Sequence, residues 1–60
     1  MKISQREARA IVAALGDNGT EQDVQSIEQH LTARGVDVDQ VEEIVSLAHA
    51  KALKNAERER

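Results

Sequence analysis

The sequence predicts an all-α protein, a small three-helix bundle with a long C-terminal helix. Apolar residues recur at three- and four-residue intervals in three separate segments. Each segment follows a residue that favours a helix N-terminus, and the first two segments end at a glycine. Proline is absent, and no repeated or low-complexity segment divides the 60 residues. A chain this short forms a single domain, residues 1–60.

The first helix is predicted at about residues 4–15. Ser4 has the position of an N-cap, and Glu7 three residues later completes the pattern of a capping box. The apolar positions that follow are spaced for one helical face and are Ala8, Ile11, Val12 and Leu15. Gly16 suits the left-handed conformation that ends a helix. The next three residues, Asp17-Asn18-Gly19, have the composition of a turn.

The second helix is predicted at about residues 21–34, with Thr20 as its N-cap. Its apolar stripe is narrow and consists of Val24, Ile27 and Leu31. We therefore expect this helix to lie on the outside and to contribute least to the core. Gly35 is its natural end, and Val36 just beyond can contact Leu31 in a Schellman motif.

The third helix is predicted at about residues 37–57. Asp37 is placed as its N-cap, with Gln40 at the third helical position. Val36 before this cap and Val41 after it form the pattern of a hydrophobic staple. Val36 is thus predicted to close the second helix and to open the third.

Helix 3 is expected to be the spine on which the other two helices pack. Its apolar face is broad and consists of Val38, Val41, Ile44, Val45, Ala48 and Ala52. At roughly 20 residues and 30 Å it is longer than helix 1 or helix 2. Its end beyond Lys51 is polar, so we expect that end to overhang the core.

The distribution of charge separates the middle of the chain from its two ends. The net charge of −3 is the sum of +2 over residues 1–16, −7 over residues 17–43 and +2 over residues 44–60. One interpretation is that acids at helix starts and bases at the last helix end match the helix dipoles. The other is that the acids form a surface for a basic partner.

Residue types for catalysis or metal binding are few and scattered. Cys and Tyr are absent, and His30 and His49 have no second ligand at helical spacing. No glycine-rich phosphate loop is present, and 6.6 kDa leaves little room for a substrate pocket. The sequence predicts a protein that is not an enzyme, without a catalytic, cofactor-binding or metal site.

Residues 27–45 resemble a helix-turn-helix motif, so a DNA-binding regulator is the alternative function to the one given below. The residues that match its buried positions and turn are Ile27, Leu31, Gly35, Val36, Val41 and Val45. The helix that would enter the DNA groove, however, begins with the acids Asp39, Glu42 and Glu43, which repel phosphate. No aromatic residue is available to stack on single strands or RNA. Nucleic acid is therefore not the expected partner.

The predicted function is that of a small acidic, non-enzymatic interaction module: a regulator, adaptor or inhibitor that docks on a basic protein partner. The candidate partner-binding residues are Asp39, Glu42, Glu43, Leu47 and Leu53. Leu47 and Leu53 fall outside the central apolar face of helix 3. The end of this helix either frays, with Leu53 folded back on the core, or pairs with a second copy in a homo-oligomer.

The expected location is cytoplasmic, without a membrane partner. Residues 1–7 lack the apolar segment of a signal peptide, and no apolar run is long enough to span a bilayer.

Overall fold

The computed structural model of the protein describes residues 1–58. It contains three helices, which are α1 (Gln5–Ala14), α2 (Glu21–Ala33) and α3 (Val38–Arg58). The predicted all-α three-helix bundle is confirmed, and every helix begins and ends within one residue of its predicted range. Glu59 and Arg60 belong to the predicted domain but lie outside the described residues.

Helix α3 is the spine of the bundle, as predicted. The buried apolar residues come from all three helices and their connections: Ile3, Ala8, Leu15, Val24, Leu31, Val36, Val41, Ile44, Ala48 and Ala52. Helix α2 packs on α3 more extensively than α1 does. Helix α1 runs beside α3 in the same direction. Hydrogen bonds show this, since they join Ile3 to Gln40 at one end and Gly16 to Asn55 at the other.

The expectation that helix 2 contributes least to the core is wrong. Leu31 has no exposed surface, and Val24 is only 3% exposed. The apolar stripe of α2 is narrow because the helix packs mainly against one neighbour, α3. A single row of apolar side chains fills that contact, with Val24 and Leu31 buried and Ile27 partly buried.

The connection between α2 and α3 is the predicted Schellman motif. Gly35 has a φ of +83°, in the left-handed region where a Cβ is costly. The Val36 N–H donates to the Leu31 carbonyl oxygen at 3.1 Å, and the Gly35 N–H donates to the Thr32 carbonyl oxygen at 3.1 Å. Val36 is buried in the same apolar cluster as Val41, which agrees with the predicted staple.

The residues before α1 are bound to the start of α3. The Met1 ammonium donates to the Gly35 carbonyl oxygen at 2.7 Å and to Asp37 Oδ1 at 2.9 Å. The Gln40 amide pairs with the Ile3 backbone in both directions, accepting from its N–H at 2.9 Å and donating to its carbonyl oxygen at 2.8 Å. Gln40 was expected to support the Asp37 cap; instead it holds Ile3, which is 9% exposed.

The far end of α3 is not the overhang that the sequence predicted. Ala52 and Asn55 are both 4% exposed. Asn55 Nδ2 donates to the carbonyl oxygens of Gly16 at 2.9 Å and Gly19 at 3.1 Å. The prediction failed because it treated the polar end of the helix as solvated, whereas a polar side chain on the inner face binds the turn between α1 and α2.

Gly19 is required in that turn by close packing rather than by an unusual backbone angle. A Cβ at this position would lie 2.2 Å from Leu15 Cγ and 2.5 Å from the Leu15 carbonyl oxygen. Any side chain would therefore displace the turn. The same close approach brings the Gly19 carbonyl within reach of Asn55.

Two more local predictions are wrong. Val38, which was assigned to the apolar face of helix 3, is 73% exposed. It lies in the first turn of α3, about 80° from the centre of the buried arc on a helical wheel.

Glu7 was expected to reach back to Ser4, but its carboxylate accepts from the Arg34 guanidinium at 3.1 Å. Ser4 still acts as the N-cap, since its Oγ accepts from the Glu7 N–H at 3.1 Å.

Candidate interaction surface

Four acidic side chains of the described chain contact basic groups within the fold, three of them as ion pairs and the fourth through an imidazole that is charged only when protonated. Each joins two segments that are distant in sequence, and the four pairs are Asp37 with the Met1 ammonium, Glu7 with Arg34, Glu21 with His49, and Asp17 with Arg58. All four are partly exposed, so each contributes little to stability. These acids already have partners and are not free for an outside ligand.

The environment of Asp37 differs from that of the acids that follow it. The hydrogen bond from the Met1 ammonium lowers the pKa of the Asp37 carboxyl, and the charges of that ammonium and of Lys2 act in the same direction. Asp37 is therefore held as a carboxylate that binds the N-terminal segment.

Asp39, Glu42 and Glu43 form a separate group, called here the acidic face. All three side chains are exposed in the first two turns of α3. They fall within about 100° of the helical wheel, on the side opposite the core. Within residues 1–58 none of them forms an ion pair. The structure thus brings together the three acids that the sequence proposed as binding residues.

The helix dipole accounts for only part of the acidic face. Acids stabilise a helix N-terminus, but the effect falls off within the first turn. Asp39 lies in that turn of α3, and Glu42 and Glu43 lie beyond it. The helix dipole therefore does not account for the positions of these two glutamates.

Leu47 extends the acidic face and Leu53 does not. Leu47 is 55% exposed and lies one helical turn after Glu43, beside Arg9 of α1 in a small recess of about 80 Å³. Leu53 is 52% exposed but lies roughly 15 Å further along the helix than Glu43. It borders the turn between α1 and α2 instead. The structure therefore divides the five predicted residues into a group of four and a separate leucine.

Val38 is a surface residue that the sequence interpretation missed. It lies four residues before Glu42, and residues at this spacing are neighbours on a helix surface. Its exposed isopropyl group thus borders the acidic face on the α2 side, while Leu47 borders it on the α1 side. The sequence did contain a signal for this exposure, because the helical-wheel angle of Val38 lies at the margin of the apolar arc.

A larger groove lies between α1 and α2, with a volume of about 450 Å³. It is lined by Ile11, Ala14, Leu15, Asn18, Gly19, Asp23 and Ile27. Its ionisable residue, Asp23, accepts a hydrogen bond from the Thr20 N–H at 2.8 Å and so serves as a helix cap. The lining offers apolar surface but no pair of groups arranged for proton transfer or nucleophilic attack.

Residues 1–58 contain no group of three His, Cys, Asp or Glu side chains placed to hold a metal ion. In the same part of the chain, no helix combines the length and apolar character needed to cross a bilayer. No protein-family model, curated protein or solved structure matches the chain.

Proposed function

We propose that the protein is a non-enzymatic interaction module, a regulator, adaptor or inhibitor whose acidic face docks on a basic protein surface. One observation carries the proposal: the acidic face is a cluster of three exposed acids on one side of α3, and Glu42 and Glu43 in this cluster form no ion pair within residues 1–58. Neither internal pairing nor the helix dipole explains these two carboxylates. A cationic group of a partner would supply the ion pair that they lack within residues 1–58.

The surroundings of the acidic face support protein as the partner. Val38 and Leu47 are largely exposed and lie on either side of the carboxylates. An interface over this region could bury apolar surface at its edges while opposite charges determine orientation and association rate. The chain has no aromatic residue, and aromatic side chains dominate the tightest interfaces. The proposed complex is therefore of moderate affinity and sensitive to salt.

The alternative of a helix-turn-helix DNA-binding regulator draws support from the α2–α3 corner alone. Leu31, Val36 and Val41 are buried there, as that motif requires. The helix after the corner, however, presents the acidic face where phosphates and base edges would lie. DNA affinity depends on releasing counterions through basic contacts, which this surface lacks.

The test compares two double variants with the same change in charge. Glu42→Lys/Glu43→Lys reverses the acidic face, and Glu28→Lys/Glu57→Lys reverses two exposed glutamates elsewhere. Each protein is immobilised and used to capture partners from the native host at low salt. A partner retained by wild type and by the control, but lost from the acidic-face variant, is the expected result.

Two outcomes contradict the proposal. One is a captured partner that all three proteins bind equally. The other is binding of wild type to generic duplex DNA with a steep salt dependence, which would favour the DNA-binding alternative. Circular dichroism of each variant shows whether the helices are intact.

A further inference from the structure

The connection between α1 and α2 contains an Asn-Gly sequence, Asn18-Gly19. The Asn18 side chain is exposed to solvent, whereas Gly19 is buried. In such a sequence the main-chain nitrogen of the glycine can reach the side-chain carbonyl of the asparagine, because glycine has no Cβ to hinder the approach. The two residues are therefore able to react with each other without an enzyme.

The reaction is deamidation, and water is its only co-reactant. A base in solution removes the proton of the Gly19 N–H, and the nitrogen then attacks Cγ of Asn18. The new N–Cγ bond closes a succinimide ring, while the Cγ–Nδ2 bond breaks and the side-chain amide leaves as ammonia. Water then opens the ring at either carbonyl carbon, which leaves aspartate or isoaspartate at position 18.

The folded turn holds the reacting atoms in a different arrangement. The Gly19 N–H donates to the Gly16 carbonyl oxygen at 3.4 Å, so residues 16–19 form a β-turn with Asn18 at its third position. The turn is of type I, because the other hydrogen-bonded types require a positive φ at Asp17 or Asn18 and neither residue has one. A type I turn keeps ψ of its third residue at about 0°, which directs the Gly19 nitrogen away from Cβ of Asn18. Ring closure therefore requires the turn to open.

The Asn55 amide holds both ends of this turn. Its Nδ2 donates to the carbonyl oxygens of Gly16 at 2.9 Å and Gly19 at 3.1 Å. Asn55 is itself buried, and Gly19 packs so closely on Leu15 that no Cβ would fit. Opening the turn therefore breaks both hydrogen bonds and separates a close contact.

We propose that Asn18 is a deamidation site whose modification is controlled by the Asn55 amide, which holds the turn closed. Native molecules react only from the small population in which the turn has separated from Asn55. The free energy of that local opening, rather than the exposure of the Asn18 side chain, determines the rate. The site lies at the far end of α3 from the acidic face, so the inference is independent of the proposed function.

Modification also weakens the contact that restrains it. Isoaspartate adds a main-chain carbon between Gly16 and Gly19, where the close packing of Gly19 on Leu15 leaves no room for a Cβ. In the longer chain the two carbonyl oxygens no longer fit the single Asn55 amide. Either product also adds a negative charge next to Asp17. Deamidation therefore releases the turn from α3, and the release is irreversible because ammonia is lost.

The experiment follows deamidation of the whole chain at mildly alkaline pH by mass spectrometry of its peptides, which detects the exchange of the amide NH₂ for OH. Wild type, Asn55→Ala and the exposed control Lys54→Ala are incubated folded and unfolded in guanidinium chloride. In the unfolded state all three are expected to react at Asn18 at the same rate. In the folded state Asn55→Ala is expected to react on the order of tenfold faster than wild type, because it loses the hydrogen bonds that hold the turn. Lys54→Ala should match wild type.

Two further variants separate local opening of the turn from other effects. Val41 is buried near the start of α3, in a different apolar cluster from Leu15. Val41→Ala therefore destabilises the whole fold while leaving the turn contacts intact, and it is expected to accelerate the reaction less than Asn55→Ala does. Asn18→Gln should give no product at this position, because glutamine must close a larger ring.

Wild type alone provides a measurement that does not depend on the folding of any variant. Below the unfolding transition, its rate should rise with denaturant less steeply than the unfolded fraction does, because local opening exposes less surface. A rate that rises in parallel with the unfolded fraction would overturn the inference, because the reaction would then require global unfolding. So would the absence of product at Asn18 in the unfolded chain, or a folded wild type that reacts as fast as the unfolded chain. Asn55→Ala at the wild-type rate, or Val41→Ala as fast as Asn55→Ala, would remove the role of the Asn55 amide.

Discussion

The two ends of α3 are fastened to the rest of the bundle by polar contacts of different kinds. At its start, an exposed ion pair joins Asp37 to the Met1 ammonium at 2.9 Å, beside the Gln40 amide on the Ile3 backbone. Near its other end, the buried Asn55 amide binds two carbonyls of a turn. One end is held near water by an ion pair and a neutral amide, and the other by a neutral amide away from water.

This difference determines how much each contact contributes to the free energy of unfolding. Water and salt screen an exposed ion pair, and both partners are well solvated when it breaks. The carbonyl oxygen that faces Asn55 at Gly19 belongs to a buried residue, so losing the amide would leave it without a partner. The end held by Asn55 should therefore be the stronger and the less sensitive to conditions.

The comparison also explains how α1 is held. Ile3 and Gly16, which lie just outside the two ends of α1, are the residues that bond to α3. Helix α1 has fewer contacts with α3 than α2 has, so these end contacts compensate for limited packing. They all use the inner side of α3 and its edges. The outer side, with the acidic face, has no comparable role in the fold.

The largest expected effect is that of Asn55→Ala. Removing the amide leaves the buried Gly19 carbonyl oxygen unpaired, which costs about 1–3 kcal/mol of the free energy of unfolding, less a few tenths for the better helix propensity of Ala. Urea denaturation followed by circular dichroism measures this, since the chain has no aromatic residue for fluorescence. The exposed neighbour change Lys54→Ala is the matched control. If Asn55→Ala were as stable as Lys54→Ala, the Asn55 contact would not be the stronger of the contacts at the two ends of α3.

Gln40→Met should have a smaller effect. Methionine keeps the length of the side chain but removes both hydrogen bonds to Ile3. Because this site is only partly buried, water can replace the lost partners, and we expect a loss of about 0.5–1.5 kcal/mol. Hydrogen exchange should locate the change at the Ile3 amide. The exposed Gln25→Met is the control, and a loss exceeding that of Asn55→Ala would contradict the comparison.

The sequence predicted the start of α3 well because local rules govern it. The left-handed Gly35, the buried Val36 and the Asp37 cap position are each readable from a few neighbouring residues. The docking of Met1 and Ile3 on that corner was not readable, because it joins residues more than thirty positions apart. The local sequence pattern predicts where α3 begins, whereas the residues that dock on its first turn are known only from the folded structure.

Asn55 shows why the other end was predicted wrongly. Its sequence neighbours are polar, and that composition suggested a solvated overhang. Asn55 nevertheless continues the inner row of Ile44, Ala48 and Ala52 at three- and four-residue spacing. A polar residue on an apolar row requires a buried partner. The partners are main-chain carbonyls of a distant turn, which no side-chain pattern reveals.

The charged residues of the candidate surface could be predicted from the sequence more reliably than its apolar residues. Asp39, Glu42 and Glu43 share a side of the helix by spacing alone, so the structure left their grouping unchanged. Val38 and Leu53 were harder, because burial at the margin of a helix face depends on where neighbouring helices end. Val38 lies where α1 and α2 do not cover α3, and Leu53 lies too far along the helix to join the acids.

The smallest expected effect, and the sharpest distinction between the two ends, is in pH dependence. The hydrogen bond from the Met1 ammonium lowers the pKa of Asp37 in the folded protein. A carboxylate with a lowered folded pKa stabilises the fold at pH values above its unfolded pKa of about 3.9. That stabilisation is lost as the pH falls through the lower folded value. Wild type should therefore exceed Asp37→Asn in stability near neutral pH, and the difference should shrink as the pH falls below the unfolded pKa of about 3.9.

Unfolding in urea at several pH values, for wild type, Asp37→Asn and Asn55→Ala, measures these differences. Because other carboxyls titrate in every protein, only the differences from wild type are informative. The Asp37→Asn difference should shrink on acidification, and added salt at neutral pH should also reduce it. The Asn55→Ala difference should remain nearly constant, since an amide does not titrate. If the Asp37→Asn difference were constant or grew towards low pH, the ion pair would not be what holds the N-terminal segment, and the Gln40 amide would be left as the main contact at that end of α3.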